Sequence, residues 1–231
     1  MDVDGDPSSG RIVSSNSYSL YGQILEAGGV PLSLGIVRDA PGDLLARFTE
    51  ARSKAHVIVS SGGVSVGDYD FVQEIFRELG ARVEFDSVAQ RPGKPFTYAT
   101  MGKIPFFGLP GNPVSAMMSF EQYLRPALRK MTGHKALFRK AVRAVLDDSI
   151  SKKSGFTYFI RGIVTWRDGR FSVTTTGDQG SGILTSMVLA NGIIVLPREL
   201  TNARRGDEVT VQLIDNSLLA AAKPEYLDVT W

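Results

Sequence analysis

The chain of 231 residues contains no cysteine, and this absence excludes several kinds of chemistry. Disulfides, thiolate-bound metals and cysteine nucleophiles all need a thiol, and a chain without one fits a reducing compartment. Only two histidines are present, His56 and His134, and neither has a partner at the spacing of a metal site. The serines also lack a His/Asp partner pattern, which argues against an acyl-transfer triad.

An excess of one charge, a long apolar run and a P-loop kinase motif are also missing. The 26 basic and 24 acidic residues nearly cancel, and the basic ones are spread out, so we expect no nucleic-acid partner. No apolar run approaches the ~20 residues of a membrane span and no signal-peptide pattern starts the chain. We therefore expect a cytoplasmic protein with no membrane partner.

A strand, a glycine-rich turn and the start of a helix follow one another at residues 56–70, HVIVSSGGVSVGDYD. The β-branched front of this stretch predicts a buried strand, and the small residues at 61–67 allow a sharp turn and close ligand approach. The helix is predicted to end at Gly80. On this loop alone two interpretations stay open: an anion site at a helix N-terminus, or a tight turn with Asp68 as the helix N-cap.

Short apolar strands alternate with amphipathic helices up to about residue 134, which predicts a parallel sheet covered on both faces. Ser14-Ser15-Asn16 supplies N-cap candidates for a first helix, and Pro41 begins a second. Further strands are predicted at residues 30–37, 82–89, 96–100 and 104–109.

From about Phe138 the pattern changes to the alternation of β-strands. Strands are predicted at 141–146, 158–166, 171–176, 192–196 and 208–214, with a hairpin turn at 167–170 and a short helix at 181–190. The expected fold is thus a three-layer α/β domain at 1–134, a small barrel-like β-domain at 135–215 and a tail at 216–231.

Two further segments carry features of a binding site. The turn at 90–95, QRPGKP, is stiffened by its prolines and projects Arg91 and Lys94. The junction at 108–113, GLPGNP, places Asn112 as N-cap and Pro113 at the first helical position. The helix that follows contains Pro126, where we expect a kink.

In a parallel sheet both glycine-rich junctions would lie at the strands' C-terminal edge, where such folds hold ligands. The basic turn and the hydroxyls of Ser61, Ser65 and Ser115 then favour a phosphate-bearing ligand. Asp68 and Asp70 suit Mg²⁺, which bridges carboxylates and phosphate oxygens. The alternative for Asp70 is a first-turn carboxylate stabilised by the helix dipole by ~0.3–1 kcal/mol.

Three motifs in this order, SGGVSVG at 61–67, RPGKP at 91–95 and GLPGNPVS at 108–115, resemble the molybdopterin molybdenumtransferases, the MoeA and gephyrin E-domain family. The resemblance extends from Ser14 to Ile214. It implies a molybdopterin-binding α/β domain followed by a small β-barrel domain. It also implies insertion of molybdate into adenylyl-molybdopterin, with Mg²⁺-dependent release of AMP, by a homodimer.

The resemblance also implies roles for individual residues. Asp70 matches the family's carboxylate near metal or molybdate, Lys94 matches a basic residue, and Arg91 takes a position that is more often lysine. The implied substrate-binding residues are Ser61, Gly62, Gly63, Ser65, Pro110, Gly111, Asn112, Pro113, Ser115, Arg161 and Ser181. From the residues alone, Arg161 is only a strand residue and Ser181 part of a helix N-cap turn.

The chain also departs from the family pattern. Two family domains that precede this region are absent, as is the first strand with its Thr-Gly-Asp-Glu loop, so the chain resembles a C-terminal portion. A lysine that usually precedes the basic turn is replaced within residues 85–89. Two other functions stay open: a non-catalytic molybdopterin carrier or scaffold, and a molybdopterin adenylyltransferase. The partners expected for the chain are the missing N-terminal domains or an upstream adenylyltransferase.

Overall fold

The structure, a computed structural model, describes residues 1, 4–6, 8, 10, 12–63 and 70–215, with the backbone alone for residues 70–73. Ser65 and Asp68, and the tail expected at 216–231, lie outside the described residues. The chain divides into two compact units between Phe138 and Arg139. No helix in these described ranges is both long and apolar enough to cross a bilayer.

The first unit alternates helices with strands. Its elements are α1 (Ser15–Glu26), α2 (Pro41–Lys54), β1 (Ile58–Ser61), α3 (Asp70–Glu78), β2 (Ala81–Ser87), β3 (Gln90–Arg91), β4 (Pro95–Met101), β5 (Ile104–Leu109), α4 (Pro113–Ser119), a π-helical turn (Phe120–Leu124) and α5 (Arg125–Met131).

Local sequence signals explain where these helices begin and end. The Ser14 side chain caps α1 by accepting a hydrogen bond from the Ser17 amide, and α2 begins with Pro41 at its first turn. Gly80 follows α3 with a φ of 65°, a left-handed conformation that favours glycine. These helix boundaries confirm the predictions.

The predicted break near Pro126 takes the form of the π-helical turn. The amide of Arg125 donates to the carbonyl of Phe120, five residues earlier, instead of four. Pro126 has no N–H to donate, so the regular ladder is interrupted where the proline removes a bond.

The sheet of the first unit has the strand order β1-β5-β4-β2, and its strands are not all parallel. β1 and β5 run parallel, whereas β5–β4 and β4–β2 are antiparallel. The expectation of a parallel sheet is therefore wrong for the pairs β5–β4 and β4–β2. Because only Gly102 and Lys103 separate β4 from β5, the two strands form a hairpin, which is necessarily antiparallel.

The prediction of a strand at residues 30–37 is also wrong. This segment forms no strand; Val30, Leu32 and Ile36 are 94, 57 and 54% exposed, and Leu34 packs against a core cluster. Apolar alternation shows which residues would face a core, but it does not show that a sheet edge is there to receive them.

Adjacent phenylalanines of β5 point to opposite faces of the sheet, as strand geometry requires. Phe106 packs with Phe48 and Phe76, with ring centroids 5.6 and 4.9 Å away. Phe107 belongs to a separate hydrophobic cluster on the other face, which includes Phe120 of the π-helical turn. The sheet is thus covered on both faces, which confirms the three-layer architecture.

The second unit is mainly β-structure. Its elements are β6 (Ala141–Leu146), β7 (Ile150–Ser151), β8 (Thr157–Arg167), β9 (Arg170–Thr175), α6 (Thr185–Leu189), β10 (Gly192–Leu196), β11 (Asn202–Ala203) and β12 (Glu208–Leu213).

Five of these strands close into a barrel. The order is β10-β12-β6-β9-β8, and β8 pairs again with β10, so the sheet has no open edge between them. The β8–β9 hairpin turns at Asp168 and Gly169, whose φ values of 51° and 75° are those of a two-residue type I′ turn. The barrel-like β-domain is therefore confirmed.

Two glycines let the barrel strands approach closely. Gly162 of β8 and Gly192 of β10 lie opposite each other. A Cβ on Gly162 would lie 2.8 Å from Val173 Cγ2, and one on Gly192 would lie 2.5 Å from Val164 Cγ2. Both positions are filled by the side chains of neighbouring strands, so neither accepts a larger residue without a shift.

We expect the Gly162→Ala substitution to lower the free energy of unfolding of the second unit by about 1–3 kcal/mol, because the added methyl overpacks the barrel. Scanning calorimetry of the full chain would measure the shift. Gly182→Ala is the matched control, because nothing lies within 4 Å of a Cβ there. Equal stability of the two variants would contradict the close packing described for Gly162.

Candidate functional site

The two glycine-rich junctions of the first unit lie in contact. In the parallel pair β1–β5, Ser61 is opposite Leu109, so both strands end at the same edge of the sheet, as predicted. The Gly62 amide donates to the Leu109 carbonyl at 3.1 Å. A Cβ on Gly62 would lie 3.8 Å from the Gly111 Cα atom. The structure thus brings together the first and third of the three sequence motifs.

Glycine is needed in the first junction for conformation more than for space. Gly62 and Gly63 have φ values of 76° and 67°, which residues with a Cβ rarely adopt. In the second junction, Asn112 holds the N-cap position and Pro113 the first turn of α4, as predicted, but the Asn112 side chain makes no capping hydrogen bond. The helix start is therefore set by proline and backbone conformation.

Asn16, in the first turn of α1, bridges both junctions. Its Nδ2 donates to Ser61 Oγ at 2.6 Å and to the Gly111 carbonyl at 2.9 Å. Sequence reasoning identified this residue only as a helix-cap candidate. Its partners lie 45 and 95 residues away, and no local pattern in the sequence indicates contacts over such distances.

The basic turn is seated on α4. Gly93 has a φ of 94°, and a Cβ there would lie 2.7 Å from Ser119 Oγ and 3.3 Å from the carbonyl of Ser115. The buried side chain of Gln90 fixes the turn from within, because its Nε2 donates to the Pro92 carbonyl at 3.0 Å. The second motif therefore lies against the helix that the third motif begins.

Arg91 and Lys94 project from this turn and are exposed. The Arg91–Pro92 peptide is cis. The Lys94 carbonyl accepts a hydrogen bond from the Val88 amide at 2.9 Å, which ties the turn to the segment after β2. That the Lys94 ammonium shares a crevice with Gly62 and Gly111 stays a prediction, whereas the backbone on which it is mounted is fixed by the contacts above.

A carboxylate that the sequence analysis did not select lies beside the first junction. Asp39 Oδ1 is 3.1 Å from the position of a Cβ on Gly63. Asp39 follows the segment wrongly predicted as a strand, which explains why it was overlooked.

Asp70 begins α3, and the roles of its side chain and of Asp68 stay predictions. Among the described residues, no group of three or more His, Cys, Asp or Glu is arranged to hold a metal.

In the second unit, Arg161 is connected to the segment that carries Ser181. Arg161 is only 1% exposed, and its guanidinium donates to Ser186 Oγ at 3.0 Å and to the Gly180 carbonyl at 3.2 Å. Burial lowers the pKa of Arg161 to about 10, and the nearby charge of Asp178 opposes this shift. The side chain is therefore still charged at neutral pH.

Gln179 is a second residue that sequence reasoning missed. Its Oε1 accepts from the Arg161 amide at 2.9 Å, and its Nε2 donates to the Arg161 carbonyl at 3.2 Å. One side-chain amide thus pairs with both backbone groups of one residue, as a neighbouring strand would. Arg161 in turn holds Gly180, next to Ser181, so these residues form one connected group.

Comparisons with known proteins agree with this architecture. Residues 3–130 match the family model described as "Probable molybdopterin binding domain", and residues 143–214 match "MoeA C-terminal region (domain IV)". The molybdopterin molybdenumtransferase of Bacillus subtilis is 36% identical over 205 residues, which are 89% of this chain and 48% of the relative. The enzyme of that name from Haemophilus influenzae is 32% identical over 91% of this chain and 52% of its own length.

Solved structures give the same result. A molybdopterin biosynthesis moeA protein from Pyrococcus horikoshii is similar with a TM-score of 0.78 and 26% identity, covering 93% of this chain and 51% of that protein. A molybdenum cofactor biosynthesis protein from Pyrococcus furiosus has a TM-score of 0.70 and 28% identity over 87% of this chain. The chain spans about half the length of the curated relatives it matches. Because one family model covers more than half of its 231 residues and a second follows, the chain belongs to the probable molybdopterin-binding domain family, with a MoeA-type C-terminal region.

Proposed function

We propose that this chain acts in molybdenum cofactor biosynthesis as part of a molybdopterin molybdenumtransferase, in the cytoplasm. It binds adenylyl-molybdopterin, molybdate is inserted into the pterin dithiolene, and AMP is released. The observation that carries the proposal is the contact between Gly62 and Gly111 at the shared edge of β1 and β5, with the basic turn seated on α4. Ligands of α/β proteins bind outside the C-terminal ends of such strands.

The chain's own residues supply binding and orientation. Lys94 places a compact positive charge for a phosphate, and Arg91 offers a planar fork that can bind an oxyanion through two hydrogen bonds. Pro110 and Pro113 restrict the backbone on either side of Gly111, so the wall of the pterin site is stiff before the ligand arrives. A stiff site loses less entropy on binding.

Arg161 and Ser181 are the residues of the second unit that we propose for substrate binding. The guanidinium is charged at neutral pH but the side chain is only 1% exposed, so we propose that Arg161 acts by holding the backbone. Its bond to the Gly180 carbonyl also fixes the backbone next to Ser181. We propose that the two residues act together and that loss of Arg161 also displaces Ser181.

Asp68 and Asp70, which follow the first junction in the sequence, and Asp39 beside it have carboxylates that suit Mg²⁺, a hard cation that prefers oxygen ligands. Asp70, Asp68 and Asp39 are the residues proposed to hold it, supported by the position of Asp39 Oδ1 beside Gly63. When bound, Mg²⁺ would neutralise phosphate charge as AMP departs. The carboxylates themselves would repel a phosphate, so their role depends on the cation.

We also propose that the chain works as a homodimer. Tyr18, Tyr21 and Leu25 lie three and four residues apart on α1 and are 52, 45 and 52% exposed. At helical spacing these side chains form one apolar stripe, which a second copy would cover. Light scattering would report the mass in solution; a monomer at all concentrations would contradict this part of the proposal.

The central experiment supplies adenylyl-molybdopterin, molybdate and Mg²⁺ to the purified chain, alone and with the part of the Bacillus subtilis relative that the chain does not span. Binding together with AMP release would support the transferase. Binding without AMP release in either sample would indicate a carrier or scaffold. Consumption of ATP with free molybdopterin would indicate an adenylyltransferase. A folded chain that binds no adenylyl-molybdopterin would contradict the proposal.

For Lys94→Ala, we expect the affinity for adenylyl-molybdopterin to fall by ~1.5–3 kcal/mol, the scale of a hydrogen bond to a charged group. Isothermal titration calorimetry would measure it. Lys103→Ala is the control, because this exposed lysine lies in the turn between β4 and β5, at the other end of the hairpin from Lys94. An equal loss in both variants would indicate a general effect of net charge and not a contact at Lys94.

For Asp70→Asn, we expect ligand binding to persist while its dependence on Mg²⁺ weakens, because the neutral amide is a poorer ligand for a hard cation. A titration of affinity and AMP release against Mg²⁺ would show the change. Asp43→Asn in the first turn of α2 is the control for losing a first-turn carboxylate. An unaltered Mg²⁺ dependence in Asp70→Asn would leave only the helix-dipole role for this residue.

A further inference from the structure

Asn16 connects the two glycine junctions, yet no role follows for it from the motifs that carry the resemblance. We propose that Asn16 is the positioning residue of the ligand crevice and that its side-chain amide keeps the β1 and β5 junctions in register. The ligand part of this inference rests on the proposed function. The coupling of the two junctions through Asn16 is a property of the chain without ligand. The coupling and the ligand-binding function can therefore be disproved separately.

The Asn16 amide uses both of its hydrogens on different segments. Nδ2 donates to Ser61 Oγ at 2.6 Å and to the Gly111 carbonyl at 2.9 Å. The Ser61 hydroxyl points its own hydrogen toward the Pro110 carbonyl at 3.4 Å, which adds a weaker link between the same two junctions. If either junction moves alone, it must break a bond to Asn16.

The other end of the same amide adds no hydrogen bond that would explain asparagine at this position. Asn16 Oδ1 is buried and has no hydrogen-bond partner within the part of the chain that the structure describes. Buried polar atoms are normally paired, and an unpaired one lowers stability. Capping does not explain the residue either, because Ser14 caps the helix. What remains is the pair of donors, both directed at the junctions.

Gln23, on the same helix, provides a closely matched comparison. Its Nε2 also donates twice, to the Met117 carbonyl at 3.3 Å and to Glu121 Oε1 at 3.2 Å, and its Oε1 is likewise buried without a partner among the described residues. These bonds attach α1 to α4 and to the π-helical turn, about two helical turns away from the junctions. A variant at Gln23 therefore removes the same chemistry at a place that should not affect the crevice.

The first test measures hydrogen exchange of the Gly62 amide in the full chain without ligand, because this amide donates across the two junctions to Leu109. We expect exchange in Asn16→Ala to be roughly tenfold faster than in the unaltered chain. In Gln23→Ala we expect it to stay within about twofold. Amides of β4 report any global loss of stability. Equal Gly62 exchange in both variants would overturn the coupling.

The second test measures the affinity for adenylyl-molybdopterin. We expect Asn16→Ala to lose about tenfold and Gln23→Ala to lose less than about twofold. Asn16→Asp is nearly isosteric, but its carboxylate cannot donate to the Gly111 carbonyl and adds a negative charge. Its loss should therefore exceed that of Asn16→Ala and grow as ionic strength falls. A purely structural role would give losses that do not depend on salt.

The outcomes separate the inference from the function on which it rests. Unchanged adenylyl-molybdopterin affinity in Asn16→Ala, when the unaltered chain binds, would overturn the positioning role. If the unaltered chain binds no adenylyl-molybdopterin, the proposed function fails and the exchange of Gly62 alone decides the coupling. If Asn16→Ala does not fold, Asn16→Ser, which keeps one donor, replaces it and should give intermediate exchange.

Discussion

The parallel pairing of β1 with β5 is the constraint on which the candidate site depends. It aligns Ser61 with Leu109, and the two glycine corners that follow must therefore turn at the same edge and meet. The antiparallel part of the sheet supports this pair from one side, because β4 bonds to β5 along its length. One face of β5 then anchors the α2–α3 side through Phe106, and the other anchors the side formed by α1, α4 and the π-helical turn through Phe107. The edge at which the two glycine junctions meet is thus fixed by packing on both faces of a single strand.

The sequence predicted local structure at positions where the residue type itself restricts or favours one backbone conformation. Gly62, Gly63 and Gly93 adopt conformations that strongly favour glycine, and Pro41 and Pro113 lie in the first turns of their helices. These local requirements allowed the junctions, the basic turn and most helix and strand boundaries to be predicted. The edge shared by the first and third motifs followed from the single parallel pair, although the rest of the predicted parallel sheet was wrong.

What sequence could not supply was long-range pairing. The segment at 30–37 has the composition of a strand but meets no free sheet edge, and Asp39 was overlooked because it follows that segment. The roles of Asn16, Gln90 and Gln179 could not be predicted from adjacent residues in the sequence either. Each makes its hydrogen bonds to a partner that only the folded structure brings close. The roles of Arg161 and Ser181 came from family resemblance and not from any local signal. The structure adds a physical connection between these two through Gly180.

Four of the residues that fix irregular segments share one chemistry, and it suits a site for an anion. Asn16 joins the two junctions, Gln90 holds the basic turn, Gln179 pairs with both backbone groups of Arg161, and Asn191 does the same with Val164. Each is a carboxamide, which can donate and accept but carries no charge. A carboxylate in the place of Asn16 would repel a phosphate, and a lysine would compete with Lys94 for it. Neutral amides therefore hold the loops without adding charge, which leaves the charge of the proposed ligand site to Arg91, Lys94 and the proposed cation.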